Sequence, residues 1–333
     1  MLMTDSNHSI ALLFPGQGSQ AVGMGKDLDE KYPVARHTFE EADDALGYKL
    51  SEVCFEGPEE KLRLTEITQP AILTVSVAAL RVLETCIPKP SYVAGHSLGE
   101  YSAHVASGTI ALADAVRTVR NRGKYMQEAV PVGVGAMAAI LGMDLEQVGA
   151  VCQDAAQGGV CEPANINSPE QVVISGNTAA VERAAKLAEE RGAKKARLLP
   201  VSAPFHCSLM KPAQDRLEAD LNVLKMQKPI YPVACNVDAT LVTDEVRARD
   251  TLVRQVTGSV KWHQCMRLLI DKGVQTFIEV GPGKVLWGLM RQIDRAKTCL
   301  SVSDTATLAK AAETLAARGE SSQDSAPEGA TGS

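Results

Sequence analysis

Gly95-His96-Ser97-Leu98-Gly99 follows the apolar run Tyr92-Val93-Ala94 and opens a helix from Glu100 to Ser107 with Ala103 and Ala106 on its inner side. Buried strand, Gly-x-Ser-x-Gly and helix, in that order, form the signature of a nucleophile elbow. Such a turn brings strand and helix backbones together, so Gly95 and Gly99 spare it two β-carbons and the oxygen of Ser97 is left exposed. The start of the helix also points backbone N–H groups at any developing anion. The competing reading is a glycine-rich β–α turn with an incidental serine, and a serine alone does not make an enzyme.

Outward from this turn, the chain has 333 residues. That is enough for a large core and for two domains, since single cores stop growing near ~250–300 residues. The net charge of -6 comes from 34 basic and 40 acidic residues that are interspersed, which gives no support for nucleic-acid binding or a polybasic membrane surface. Small molecules or proteins are the expected partners. Eight cysteines (54, 86, 152, 161, 207, 235, 265 and 299) show no CxxC pair, so a reduced compartment and no metal site are expected. The run Ile10–Phe14 is too short for a signal-peptide core, and no stretch reads as a membrane span of ~20 apolar residues. A cytoplasmic protein is expected.

In chain order, Ile10–Phe14 reads as a first buried strand that ends in the loop Pro15-Gly16-Gln17-Gly18-Ser19-Gln20. Gly16, Gly18 and Ala21 satisfy G-x-G-x-x-[GA], but the next segment, Asp27 to Leu46, reads as helix and not as a second strand ending in an acidic ribose ligand, so a dinucleotide fold is disfavoured. Leu50 to Leu64 reads as polar turns and short helix, Ala71 to Leu83 as an apolar helix preceded by Pro70, and Leu112 to Ala129 as a helix with Ala115, Val116, Val119 and Met126 inward. Arg117, Arg120 and Arg122 then fall around its polar side, where each could simply be solvated.

Between Pro131 and Val201 the order strand, helix, strand, strand, helix, strand is that of a ferredoxin-like unit. Its strands are Gly135–Leu141, Val160–Ile166, Val172–Ser175 and Ala196–Val201; its helices are Leu145–Ala156 and Thr178–Arg191, the second capped by Asn177. The chain returns through Pro204-Phe205-His206-Cys207, a helix from Leu209 to Leu221, a strand Tyr231–Cys235, helices around Leu252 and Met266, and a strand Thr276–Val280. Gly281-Pro282-Gly283-Lys284 lacks the spacing of a phosphate loop and reads as a strand-to-helix turn. From Gly319 onward no large apolar residue remains, which predicts a disordered tail over 319–333.

A serine nucleophile needs a base, and histidine is the usual one. Of the six histidines, His8 lies in the terminus, His37 and His104 on helices, His96 beside Ser97 and projecting away from it, and His263 after a helix-start tryptophan. His206 sits in a proline-flanked loop where the second segment returns to the first, and position alone also allows it a structural role.

Six stretches together resemble the malonyl-CoA:acyl carrier protein transacylase family: the loop Pro15–Gln20, Gly95 to Tyr101, Arg122-Gly123, Asn165-Ile166-Asn167-Ser168-Pro169, Pro204–Cys207 and Glu279–Gly283. The resemblance implies an α/β-hydrolase-like core with a parallel sheet and an inserted small ferredoxin-like α+β domain. The expected divisions are 8–130 with 202–318 for the catalytic domain, 131–201 for the insertion and 319–333 for the tail. It implies Ser97 as nucleophile, His206 as base, and the backbone N–H groups of Gln17 and Leu98 as oxyanion hole. The main-chain carbonyl of Gln255 would orient the imidazole, and Arg122 would hold the malonyl carboxylate, with Asn165 and Phe205 beside the substrate.

Gly258-Ser259-Val260-Lys261-Trp262 departs from the Asn-Pro-Val-Gln-Trp expected in the family, which puts the backbone near Gln255 in question. The implied reaction moves malonyl from malonyl-CoA to holo acyl carrier protein through a malonyl-serine, in fatty acid synthesis, by a monomer with no cofactor or metal. A serine esterase or thioesterase on the same core is the rival, although such enzymes run Ser, acid, His along the chain and often carry an HGGG oxyanion loop, which is missing here. An acyltransferase serving a polyketide pathway is the other.

Overall fold

The computed structural model describes residues 9–201 and 203–323. Its first sheet is built on β1 (Ile10–Phe14) and β2 (Tyr92–Gly95). The next four strands form a second sheet: β3 (Gly135–Leu141), β4 (Cys161–Ser168), β5 (Gln171–Asn177) and β6 (Lys195–Leu198). The chain then returns to the first sheet with β7 (Val233–Ala234), β8 (Leu241–Val242), β9 (Thr276–Val280) and β10 (Thr298–Val302).

The first sheet has the order β10-β9-β1-β2-β7-β8 and is parallel except for β8. β1, a continuous apolar run, and β9 are buried along their whole length, as strands covered on both faces are. Because β1, β2 and β7 run in one direction, the loops after Phe14, Gly95 and Ala234 all emerge at one edge, where α/β sheets bind ligands. The second sheet has the order β4-β5-β3-β6 and is antiparallel, with the helices Leu145–Ala156 and Thr178–Glu190 packed on one face.

Several elements differ from the sequence reading. The segment expected as one helix from Asp27 to Leu46 is two, Lys26–Lys31 and Pro33–Leu46, because the residue before a proline is driven out of the helical region and Tyr32 is extended. Conversely, the helix expected to start after Pro70 begins at Thr65 and runs to Leu83. Pro70 sits in its second turn, where it removes a single i→i−4 bond, to the carbonyl of Glu66. This helix is long and apolar enough to cross a membrane by length and composition, but 89% of it is buried inside the protein, so it serves as the core helix.

Asn177 precedes the helix Thr178–Glu190 without capping it, since its Oδ1 accepts from the N–H of Val160 instead. β6 and β7 are shorter than expected. The last helix runs Thr305–Gln323, so 319–323 are helical; the rest of the expected tail lies outside the described residues.

The elbow is held by backbone contact. A β-carbon on Gly95 would collide with the backbone of Gly99, and one on Gly99 with the carbonyl of Phe14. No flexible side chain is there to yield. Gly95→Ala or Gly99→Ala is therefore expected to lower the unfolding free energy by about 3 kcal/mol or more, measured by denaturant titration.

Candidate active site

Ser97 occupies the left-handed region with φ 52°, the conformation an elbow demands of a non-glycine residue. Two bonds from Asn236 hold it there: the Oδ1 of Asn236 accepts from the N–H of Ser97 at 2.7 Å, and its Nδ2 donates to the carbonyl of Gly95 at 2.8 Å. Asn236 comes from the loop after β7, at the same sheet edge. The hydroxyl of Ser97 lies 2.7 Å from Nε2 of His206.

His206 is itself in the left-handed region, with φ 59°, in a loop tightened by a bond from Cys207 Sγ to the carbonyl of Pro204. Its Nδ1 faces two carbonyls, those of Gln255 at 2.9 Å and Gly258 at 3.2 Å. Carbonyls only accept, so Nδ1 carries the hydrogen and Nε2 presents its lone pair to the serine. Burial, and after it the nearby cation of Arg122, pushes the imidazole down to a pKa of about 3.

Arg122 is 2% exposed. Its helix, Leu112–Glu128, turns it inward with Val119 and Met126, not onto the polar side expected from sequence. The guanidinium donates to Oε1 of Gln69 at 2.7 Å, to Oε1 of Gln255 at 2.9 Å and to Ser97 Oγ at 3.2 Å, and lies 5.6 Å from the ring centre of Tyr101. Its Nε has no partner among the described residues. Gln255 contributes more than a carbonyl, for its Nε2 donates to Glu100 Oε2 at 2.7 Å and to the carbonyl of Ser97 at 3.0 Å.

Around these groups lies a cavity of about 120 Å3 lined by Gln17, Ser97, Leu98, Arg122, Asn165 and His206. Met126, Met137, Val201 and Phe205 supply its apolar wall. Seven of the eight residues singled out from sequence thus line one cavity, and the eighth, Gln255, holds three of them, Ser97, Arg122 and His206, from behind. Among the described residues, no protein acceptor takes the backbone N–H of Gln17 or Leu98. Asn165 bridges in parallel register to Val260, and Ser259 Oγ donates to the carbonyl of Pro163 at 2.6 Å, so the unexpected Gly258-Ser259 segment ties β4 to the loop that holds His206.

His96 also lines the cavity, with its Nε2 against Asn167 Oδ1 at 2.8 Å and its ring tilted on Trp262. These partners leave the ring without a bond to Ser97. His104 is fully buried elsewhere on the elbow helix, His37 is exposed and paired with Glu40, and His8 lies outside the described residues. Among the described residues no cluster of three His, Cys, Asp or Glu side chains could hold a metal. The sequence reading missed Gln69, Glu100 and Asn236. A polar residue just past a parallel strand, as Asn236 is, carries the available signal.

A serine on an elbow, paired with a buried imidazole beside a buried arginine, defines an acyl-transfer class of site, and the acyl transferase domain family matches residues 11–327. The chain is 48% identical over 307 residues to the malonyl CoA-acyl carrier protein transacylase of Bacillus subtilis, covering 92% of this chain and 97% of that one. The structure of the corresponding transacylase of Coxiella burnetii superimposes with a TM-score of 0.91 at 43% identity, over 92% of this chain and 98% of that one. A malonyl-transacylase solved in complex with a type II PKS acyl-carrier protein gives 0.90 at 46% identity, over 92% and 99%. The chain belongs to the malonyl CoA-acyl carrier protein transacylase family.

The pKa of His206 has a measurable consequence. A base whose folded pKa lies below its unfolded value near 6.5 binds fewer protons in the native state, so its contribution to stability is full above pH 6.5 and is lost as pH falls toward 3. The difference in unfolding free energy between the wild type and His206→Gln should rise with pH across that window and level off above it. Chemical denaturation at a series of pH values measures it.

Proposed function

We propose that Ser97 carries the malonyl group and that His206 moves the protons of a two-step transfer from malonyl-CoA to the phosphopantetheine thiol of holo acyl carrier protein, in fatty acid synthesis. The 2.7 Å approach of Ser97 Oγ to His206 Nε2, with Arg122 in the same cavity, is the observation that carries this reading. Nε2 takes the hydroxyl proton as Oγ bonds to the thioester carbon, and the free N–H groups of Gln17 and Leu98 receive the oxyanion. A donor of this kind is typically worth about 3–4 kcal/mol. The carbon–sulfur bond then breaks, and the thiolate of CoA leaves with the proton from His206.

In the second half the carrier's thiol gives its proton to Nε2 and attacks the malonyl ester. The carbon–oxygen bond breaks and Ser97 recovers its proton. Arg122 receives the malonyl carboxylate, a group that its two parallel N–H donors match and that acetyl lacks. The transacylase solved with a carrier protein, 46% identical to this chain, supports the choice of acceptor. That carrier belongs to a type II PKS, which keeps a polyketide carrier as the second reading; transfer rates to the two kinds of holo carrier separate them. Eight free cysteines support a reducing, cytoplasmic setting, and the enzyme is read as a monomer, which sedimentation velocity tests.

Brief mixing with malonyl-CoA should add one malonyl group to the intact protein by mass spectrometry, and Ser97→Ala should abolish the adduct. An adduct that persists in that variant would remove Ser97 from the mechanism. Arg122→Ala should lower malonyl transfer by tens- to thousands-fold, roughly the cost of an unpaired buried charge, while sparing acetyl transfer. Equal losses for both acyl groups would assign Arg122 to the fold alone.

A further inference from the structure

Glu100 is fully buried on the elbow helix, directly behind the site, and has no part in the transfer steps above. Its Oε2 accepts two bonds, from Gln255 Nε2 at 2.7 Å and from the N–H of Asn236 at 3.0 Å, while Oε1 has no partner among the described residues. Gln255 stands between this carboxylate and Arg122. One end of its amide faces two acceptors, Glu100 Oε2 and the carbonyl of Ser97, and a carbonyl can only accept; the other faces a guanidinium, which can only donate. The amide can therefore sit in one orientation only, with Oε1 toward Arg122.

We propose that Glu100 is a positioning residue that acts through the side chain of Gln255 to set acyl-group selectivity. By fixing the amide, it supplies Arg122 with a neutral acceptor that holds the guanidinium in place. By keeping the amide between the two groups, it prevents Arg122 from closing onto Glu100 itself, which leaves the unpartnered Nε, and the Nη2 hydrogen that goes to Ser97 Oγ at 3.2 Å, to a carboxylate entering the cavity. A direct buried ion pair in that place would hold the arginine just as firmly and would compete with the acyl group for it. The assignment rests on the reading of Arg122 as the carboxylate's partner.

The test is the ratio of kcat/KM for malonyl-CoA to that for acetyl-CoA in acylation of the enzyme, a ratio that the fraction of correctly folded protein does not move. Glu100→Ala should lower it about tenfold or more, the scale of a lost charge-assisted hydrogen bond. Glu100→Gln, whose carbonyl oxygen can accept the same two N–H bonds, should restore most of it. Gln255→Met keeps the main-chain carbonyl that holds His206 but has no amide; it should reproduce the loss, and so keeps the test decisive if Glu100→Ala does not fold.

A ratio unchanged in both Glu100→Ala and Gln255→Met, with Arg122→Ala shifting it, overturns the assignment and leaves the reading of Arg122 intact. A ratio unchanged in Arg122→Ala as well overturns that reading, and this inference falls with it. A loss in Glu100→Gln as large as in Glu100→Ala would show that charge, not the acceptor, matters, and would also overturn it.

Discussion

The backbone-to-backbone approach of the first residue of the elbow helix to β1 and β2 is the constraint from which the site follows. With glycine at 95 and 99 the turn can close, Ser97 is carried into the left-handed region, and its oxygen stands at the edge where the other parallel strands deliver their loops. Strain at such a residue persists only when its surroundings over-determine it. Here Asn236 supplies two of the bonds that do so, to the N–H of Ser97 and the carbonyl of Gly95.

Arg122 poses the opposite problem, a cation buried at 2% exposure among apolar neighbours. Removing a charge from water costs several kcal/mol unless hydrogen bonds replace the hydration. Two glutamine oxygens, a serine oxygen and the face of Tyr101 do so in part, and none of them carries charge. Burial pulls the guanidinium's pKa down, yet an arginine starts so high that it stays protonated. The result is a cavity whose wall is electropositive and whose cation is held by neutral acceptors.

Much of the architecture was legible because it is local. The Gly-x-Ser-x-Gly turn states its own geometry, and the alternation of strands and helices over 131–201 gives the order of the second sheet. Errors arose where proline chemistry depends on position: Pro33 ends a helix because Tyr32 must be extended, whereas Pro70 falls early enough to be absorbed. Arg122 was placed on the polar face by its type, although its spacing of three from Val119 and four from Met126 puts it inside. Gln69, Glu100 and Asn236 were missed for a different reason. Each acts by completing a hydrogen-bond network between segments far apart in sequence, and of the three only Asn236, just past a parallel strand, carries a local signal of such a role.

That network also explains why no acid need stand behind His206. A carboxylate at Nδ1 would orient the ring, but it would favour the protonated imidazole and add negative charge beside a pocket that receives an anion. The carbonyls of Gln255 and Gly258 fix the same tautomer without charge. The buried acid of the site lies on the far side of the Gln255 amide, where burial lifts Glu100 to a pKa of about 7 and the amide separates it from the cavity. One residue thus orients the imidazole with its main chain and holds the arginine with its side chain. Glu100, by fixing that side chain, ties the choice of acyl group to the same backbone that positions the base.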